Sequence, residues 1–359
     1  MKRNTALPVS RRVYIDFLKV IAIYLVLFNH TGVRGFALFT VRQGTRLYFP
    51  AMFNAILIKI AVPLFFMASG ALLLGREESY RDLLRKRFLR YLVVLVAASA
   101  ISYLYACFRL DGQPLSVKYF LTALYSSRLA GSYWYLYAYL AYILMLPLLR
   151  KLAKAMTAQE YRWMFLLYGA AGCLSILDFL IWKGEKSHNS DFFFFIAADY
   201  VFYPLAGYYI DRRIAESKFT VKRFLSMAVL SAVAIVICCL MTHYRCTLTG
   251  SWDEDNCQTF FNTLIFLPSV TAYYGAKLLF LRHSPGERLK KILVAAGELT
   301  FGIYLINEIC LQETDCVFAF LYPHLGVLPA CWVWTFCACL LGGCVTFLVK
   351  KVPGVRKFI

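Results

Sequence analysis

Asp16, Lys19 and His30 are the residues whose types and spacing could do chemistry. All three interrupt one apolar run, D-F-L-K-V-I-A-I-Y-L-V-L-F-N-H. A helix turns about 100° per residue, so the eleven steps from Lys19 to His30 return to within about 20° of one face. Asp16 and Lys19, three apart, are neighbours on that face. The three form a polar stripe of about 16 Å at 1.5 Å per residue. A carboxylate, an ammonium and an imidazole could bind an anion at one end and move a proton at the other. Ionisable groups inside a bilayer are costly and by default mark functional sites. The alternative is a snorkelling Asp16–Lys19 pair at one interface, with His30 marking the far end of a span.

The surroundings of that run are membranous. Of 359 residues, 60% are hydrophobic, 17% aromatic and only 16% charged, which excludes an ordinary soluble domain. The net charge of +19 lies in loops between apolar runs, so anionic lipid and an anionic co-substrate fit it better than nucleic acid does. The first run lacks a small-residue cleavage site and many more follow, so it does not read as a signal peptide. The twelve cysteines show no metal-ligand spacing, and no metal is expected. Most of them sit in apolar runs as small hydrophobes, but Cys246 and Cys257 share a polar loop and could pair if it is extracytoplasmic.

The pattern predicts an all-α integral membrane protein, one domain over 1–359, with about ten transmembrane helices. They fall near 13–34, 50–74, 88–108, 133–149, 163–182, 192–210, 224–243, 259–281, 292–312 and 326–349. One set of flanks carries 28 Lys and Arg and the other 9, while Lys19 and Lys59 lie within spans. The positive-inside rule then puts both termini in the cytoplasm, Asp16 and Lys19 near the cytoplasmic face and His30 toward the outer face. A multi-pass protein of the cell membrane, in a bacterium the cytoplasmic membrane, is expected.

Other residues are candidates on that frame. Pro63, in V-P-L-F-F-M-A-S-G, could kink the second span, and Ser69 and Gly70 allow close helix contact. Arg87 and Arg90 open the third span as a positive-inside anchor or a phosphate fork. Trp134, Tyr135 and Tyr137 suit an aromatic belt or a groove for a sugar. Glu308, near the outer end of the ninth span beside Asn307, and Asp199 are candidate partners for His30. His188, His243, His283 and His324 fall in loops or at span ends and read as solvated.

These residues resemble a known group. D-F-L-K followed by V-L-F-N-H is similar to the first-helix signature of the membrane acyltransferase-3 family, with ten residues between the basic residue and the histidine. V-P-L-F-F-M-A-S-G, the Arg87–Arg90 pair, W-Y-L-Y-A-Y-L, Y-P-L-A-G-Y-Y-I and L-T-F-G-I-Y-L-I resemble its later signatures in the same order, over nearly the whole chain. Lys19 stands where arginine is usual, keeping charge but losing the bidentate fork. Asn307 stands where a histidine is common, so no acid–base role carries over to it.

The resemblance implies an O-acyltransferase that takes an acyl group, commonly acetyl, from cytoplasmic acetyl-CoA to a glycan or lipid-linked sugar at the outer face. No esterase-like domain accompanies the membrane domain, so transfer would finish there or with a separate partner. Lys19, Arg87 and Arg90 would hold the phosphates of coenzyme A, and Asp16 would pair with Lys19 or Arg12. His30 would act as general base or transient acyl carrier, with Glu308 a candidate partner and Trp134 and Tyr135 toward the acceptor. Acceptor identity, acyl chain and oligomeric state stay open. A transporter or flippase for a glycan or small anion is the competing reading, though no matched interrupted segments mark inverted repeats. A sensory or scaffold protein with a structural stripe is a third.

Overall fold

The computed structural model describes residues 12–110, 115–126, 129–185 and 198–358, and every regular element among them is helical. The helices of seven residues or more are α1 (Val13–Asn29), α2 (Tyr48–Ile58), α3 (Ala61–Leu73), α4 (Leu89–Arg109), α5 (Val117–Ser126), α6 (Trp134–Ala155) and α7 (Ala158–Trp182). They continue as α8 (Asp199–Tyr208), α9 (Val221–Thr249), α10 (Phe266–Arg282), α11 (Glu287–Leu305), α12 (Asn307–Glu313), α13 (Asp315–Leu325) and α14 (Val327–Val349).

Each of the ten apolar segments carries a helix, though residues 192–197 and His188 lie outside the described residues. Among the described residues, six helical stretches are long and apolar enough to cross a membrane, or seven if α11 and α12, bent by 82°, count as one. The other three, α1, α8 and α10, have 17, 10 and 17 residues. The helices α5 and α13 were not expected from the apolar runs.

α1 is the axis of the bundle. Ile15, Leu18, Ala22, Ile23, Leu27 and Phe28 are all but fully buried, and α1 packs on α2, α3, α10, α11, α12 and α14. Peripheral helices instead turn apolar side chains outward: Leu92, Val93 and Val96 on α4, Val229, Leu230 and Val233 on α9, and Phe347 and Leu348 on α14. Lipid is the solvent that makes such a surface stable, and the chain is a multi-pass membrane protein.

Glycines set the closest approaches, because without a large hydrophobic driving force in lipid, helices associate through tight van der Waals contact. α3 and α8 cross where Gly70 lies on the backbone of Pro204 and Gly207 on that of Met67. At Gly297 of α11, a Cβ would sit 2.7 Å from Oδ1 of Asp16, so only glycine lets α11 lie against the carboxylate of α1.

Two helix breaks shape the interior. Pro63 lies in the first turn of α3, and the helix ladder is broken at Lys59 and Ile60, where a proline at 63 has no N–H to give the Lys59 carbonyl. The second break lies at Ile306, so Asn307 and Glu308 open a new helix and do not end the ninth span. The carbonyls freed there are taken up locally. Leu305 accepts from the Tyr133 hydroxyl at 2.6 Å and Tyr304 from Asn307 Nδ2 at 2.5 Å.

Gly207→Ala should force α3 and α8 apart and destabilise the protein by about 1–3 kcal/mol, as overpacking does. Gly286→Ala, where a Cβ meets nothing within 4 Å, is the control and should leave the melting temperature in detergent unchanged. Equal melting temperatures for wild type and Gly207→Ala would refute this account of the crossing.

Candidate active site

A cavity of about 430 Å³ runs beside α1, lined by Lys19 and Arg87 toward one end and by Asn29 and His30 toward the other. Its middle is aromatic, with Tyr91, Tyr135, Tyr139, Tyr200, Tyr203 and Tyr304 on its walls. These rings hold one another: Tyr135 stacks on Tyr139 at 5.6 Å between centroids, and Tyr91 lies 4.9 Å from Tyr139. A second, more open cavity of about 600 Å³ is lined by His30, Arg34, Gly131, Glu308, Gln312 and Trp334 among others. His30 belongs to both, so one imidazole stands between two spaces of different character.

At the Lys19 end, the stripe is paired within α1. Lys19 Nζ donates to Asp16 Oδ1 at 2.8 Å, and Asp16 is only 3% exposed. Arg12 is not the partner of Asp16; it pairs with Asp211, which also accepts from the Tyr14 hydroxyl. Lys277 is no loop cation either: it lies within α10 and donates to the carbonyls of Ile210 and Asp211 at 3.0 and 2.8 Å.

Arg87 and Arg90 part company. Arg87 lines the cavity and is held by Glu78, with its Nε 2.8 Å from Oε2. Arg90 donates to the carbonyl of Phe358 at 3.1 Å and is not among the cavity residues. Arg87 lies in a wide π-type turn over 83–88 and Arg90 in α4 beyond it, so one side chain turns inward and the other toward the C-terminal segment. Glu78 also accepts from buried Arg150 at 2.9 Å. Burial opposes the charge of Glu78, but the two guanidinium groups outweigh it and hold its carboxyl below the usual glutamate range. Lys350 and Arg356 join this end. Partial burial of Lys350 lowers its pKa; Glu298 opposes, and the nearby charges of Arg90, Arg356 and Lys19 add to the lowering. Cations crowded in this way favour an anion among them.

At the His30 end, Nδ1 lies 3.9 Å from Glu308 Oε1. That oxygen accepts from the backbone N–H of Ser132 at 2.7 Å. Tyr304 donates to the Ser132 carbonyl at 2.7 Å and Asn307 Nδ2 to the Ser132 hydroxyl at 3.2 Å. The break at Ile306 and the turn 131–133 therefore fasten each other and fix the glutamate beside the histidine. Asp199 also lines the first cavity, but it accepts from the Tyr168 hydroxyl. Trp134 and Tyr135 line the cavity, whereas Tyr137 turns away to donate to the carbonyl of Leu124 at 2.7 Å.

Sequence reasoning passed over Lys59, which also lines the cavity. Its position inside an apolar span was the available signal. His243 is bonded to Tyr48 at 3.2 Å, and the thiols of Cys246 and Cys257 face each other at 3.1 Å. Among the described residues no cluster of three His, Cys, Asp or Glu side chains is suited to a metal ion.

A polytopic helical bundle thus encloses a passage that is charged at one end and walled by aromatic rings. The acyltransferase domain model of the acyltransferase-3 family matches residues 12–350, nearly the whole chain, so the protein belongs to that family and is a membrane acyltransferase. No curated protein and no solved structure matches it.

Glu78→Gln should cost about 3 kcal/mol at neutral pH, because it leaves buried Arg150 and Arg87 without their counter-charge. A carboxyl held below its usual pKa stabilises the fold above the ordinary glutamate range and loses that effect as pH falls. The gap in melting temperature between wild type and Glu78→Gln should therefore narrow from pH 7 to pH 4. A constant gap would contradict the charge pairing.

Proposed function

We propose that this chain moves an acetyl group from acetyl-CoA, bound from the cytoplasm, to a hydroxyl of a glycan or lipid-linked sugar outside the bacterial cytoplasmic membrane. The proposal includes ten crossings with both termini cytoplasmic. The observation that carries it is the position of His30 in both cavities, one running to a basic edge and the other holding Glu308.

The basic edge of Lys19, Arg87, Arg90, Lys350 and Arg356 suits the phosphates of coenzyme A, since charge-assisted contacts to phosphate are strong and arginine forks match its oxygens. Asp16 keeps Lys19 in place and tempers its charge. The thread-like arm of the co-substrate then follows the aromatic walls, which exclude water and bind its apolar stretches. The thioester stops at His30. The second cavity offers carboxylate, amide and guanidinium groups beside an indole, a mixture that suits sugar hydroxyls and a sugar face. Trp134 and Tyr135 line the passage and would guide the acceptor hydroxyl.

His30 takes the proton of that hydroxyl as general base, with the Glu308 carboxylate 3.9 Å from its Nδ1. Covalent transfer through His30 is the variant in which the imidazole attacks first. In either case the imidazole is indispensable.

Membranes carrying the wild-type chain, given radiolabelled acetyl-CoA, should pass label to glycan; His30→Ala should reduce the rate by about 100-fold or more. Arg87→Ala should raise the KM for acetyl-CoA about tenfold with a smaller change in kcat, the mark of a binding contact. Wild-type transfer by His30→Ala would refute the central role of the imidazole.

A further inference from the structure

The interruption between α2 and α3 places a cation where the sequence pattern called for apolar residues. Lys59 lies in the break itself, just after Ile58 ends α2 and near the middle of the 26-residue stretch Tyr48–Leu73. Its ammonium donates to Gln258 Oε1 at 2.9 Å and lies 4.4 Å from the centre of the Phe36 ring. Gln258 in turn donates to Glu254 Oε1 at 2.7 Å, which fixes the amide so that its oxygen faces Lys59. Among the described residues no carboxylate pairs with Lys59 directly. One of the three N–H donors is used on a neutral amide and the ring cushions the charge, leaving donors for the cavity. A half-buried ammonium that no carboxylate among the described residues pairs with directly, lining the same cavity as His30, suits a transient negative charge.

We propose that Lys59 binds the carbonyl oxygen of the acyl thioester and stabilises the oxyanion formed during transfer. The inference rests on the acyl-transfer reading of the site. In the step, the acceptor oxygen bonds to the thioester carbon while its proton passes to His30, and the carbonyl electron pair moves onto the oxygen beside Lys59. When the carbonyl re-forms, the carbon–sulfur bond breaks and the departing thiolate takes the proton back from His30. No oxidant, metal or further reactant is needed. Asn29 and Asn262 line the same cavity and offer it neutral donors. A donor that gains strength only as negative charge develops lowers the barrier without tightening substrate binding.

The test uses the full chain in membranes with radiolabelled acetyl-CoA, comparing wild type, Lys59→Met, Lys59→Arg and Gln258→Leu. Label transfer by wild type is required first; its absence would strike the acyl-transfer reading and not Lys59 in particular. Given that transfer, Lys59→Met should lower kcat by about 100-fold, the usual loss of an oxyanion donor, with KM for acetyl-CoA within threefold of wild type. Lys59→Arg, which keeps charge and donors, should retain at least a tenth of the activity. Lys59→Met turning over within threefold of wild type would overturn the proposal. So would a raised KM with unchanged kcat, which would make Lys59 a ground-state binding residue. If Lys59→Met does not fold, Gln258→Leu decides: it frees the ammonium from its anchor and should lower kcat about tenfold at constant KM. A wild-type kcat in that variant would count against the proposal.

Discussion

The whole arrangement depends on one constraint: a charge or a free carbonyl inside an apolar bundle must find a partner there, because lipid offers none. α1 brings Asp16, Lys19 and, at its end, His30 into the interior, and each is met by a neighbour. Asp16 holds Lys19, and Gly297 lets α11 close over the carboxylate. At the other end Glu308 approaches His30 only because α11 breaks at Ile306 and the turn around Ser132 captures the broken end. Chemistry and architecture thus share the same polar contacts. The helix breaks, unfavourable in themselves, are where reactive groups are presented.

A second consequence is a division of labour along the passage. Its charged end is crowded with cations held in place by few acids, chiefly Glu78 and Asp16. Its middle is a wall of tyrosines whose rings stack and tilt against one another and whose apolar bodies line the way. Its far end collects neutral and ionisable groups around His30. An extended, amphipathic co-substrate with an anionic head matches this sequence of environments in order. The tight glycine crossing of α3 and α8 keeps the walls at a fixed distance.

Much of the bundle was legible because span length and apolar runs are local properties. Each of the ten segments holds a helix, and Lys19 and His30 fall on one cavity as the 3.6-residue period implies. The misses have a common cause. Arg87 and Arg90 read as a pair, but the π-type turn over 83–88 and a distant C-terminal carbonyl separate them. Glu78, Lys350 and Arg356 enter the charged end from far along the chain, and no local pattern reports a contact of that kind. Lys59 carried a local signal, an ammonium within a span, whose direction only the packed bundle supplies.

The central claim is that the acyl group reaches His30 through the aromatic passage from the Lys19–Arg87 end. The most direct measurement is a structure of the full chain in nanodiscs with a non-hydrolysable acetyl-CoA analogue. Its phosphates should lie against Lys19 and Arg87, its arm between Tyr91, Tyr139 and Tyr304, and its acyl carbonyl within hydrogen-bond reach of His30 or Lys59. An analogue bound elsewhere on the protein, with that passage closed to it, would contradict the account.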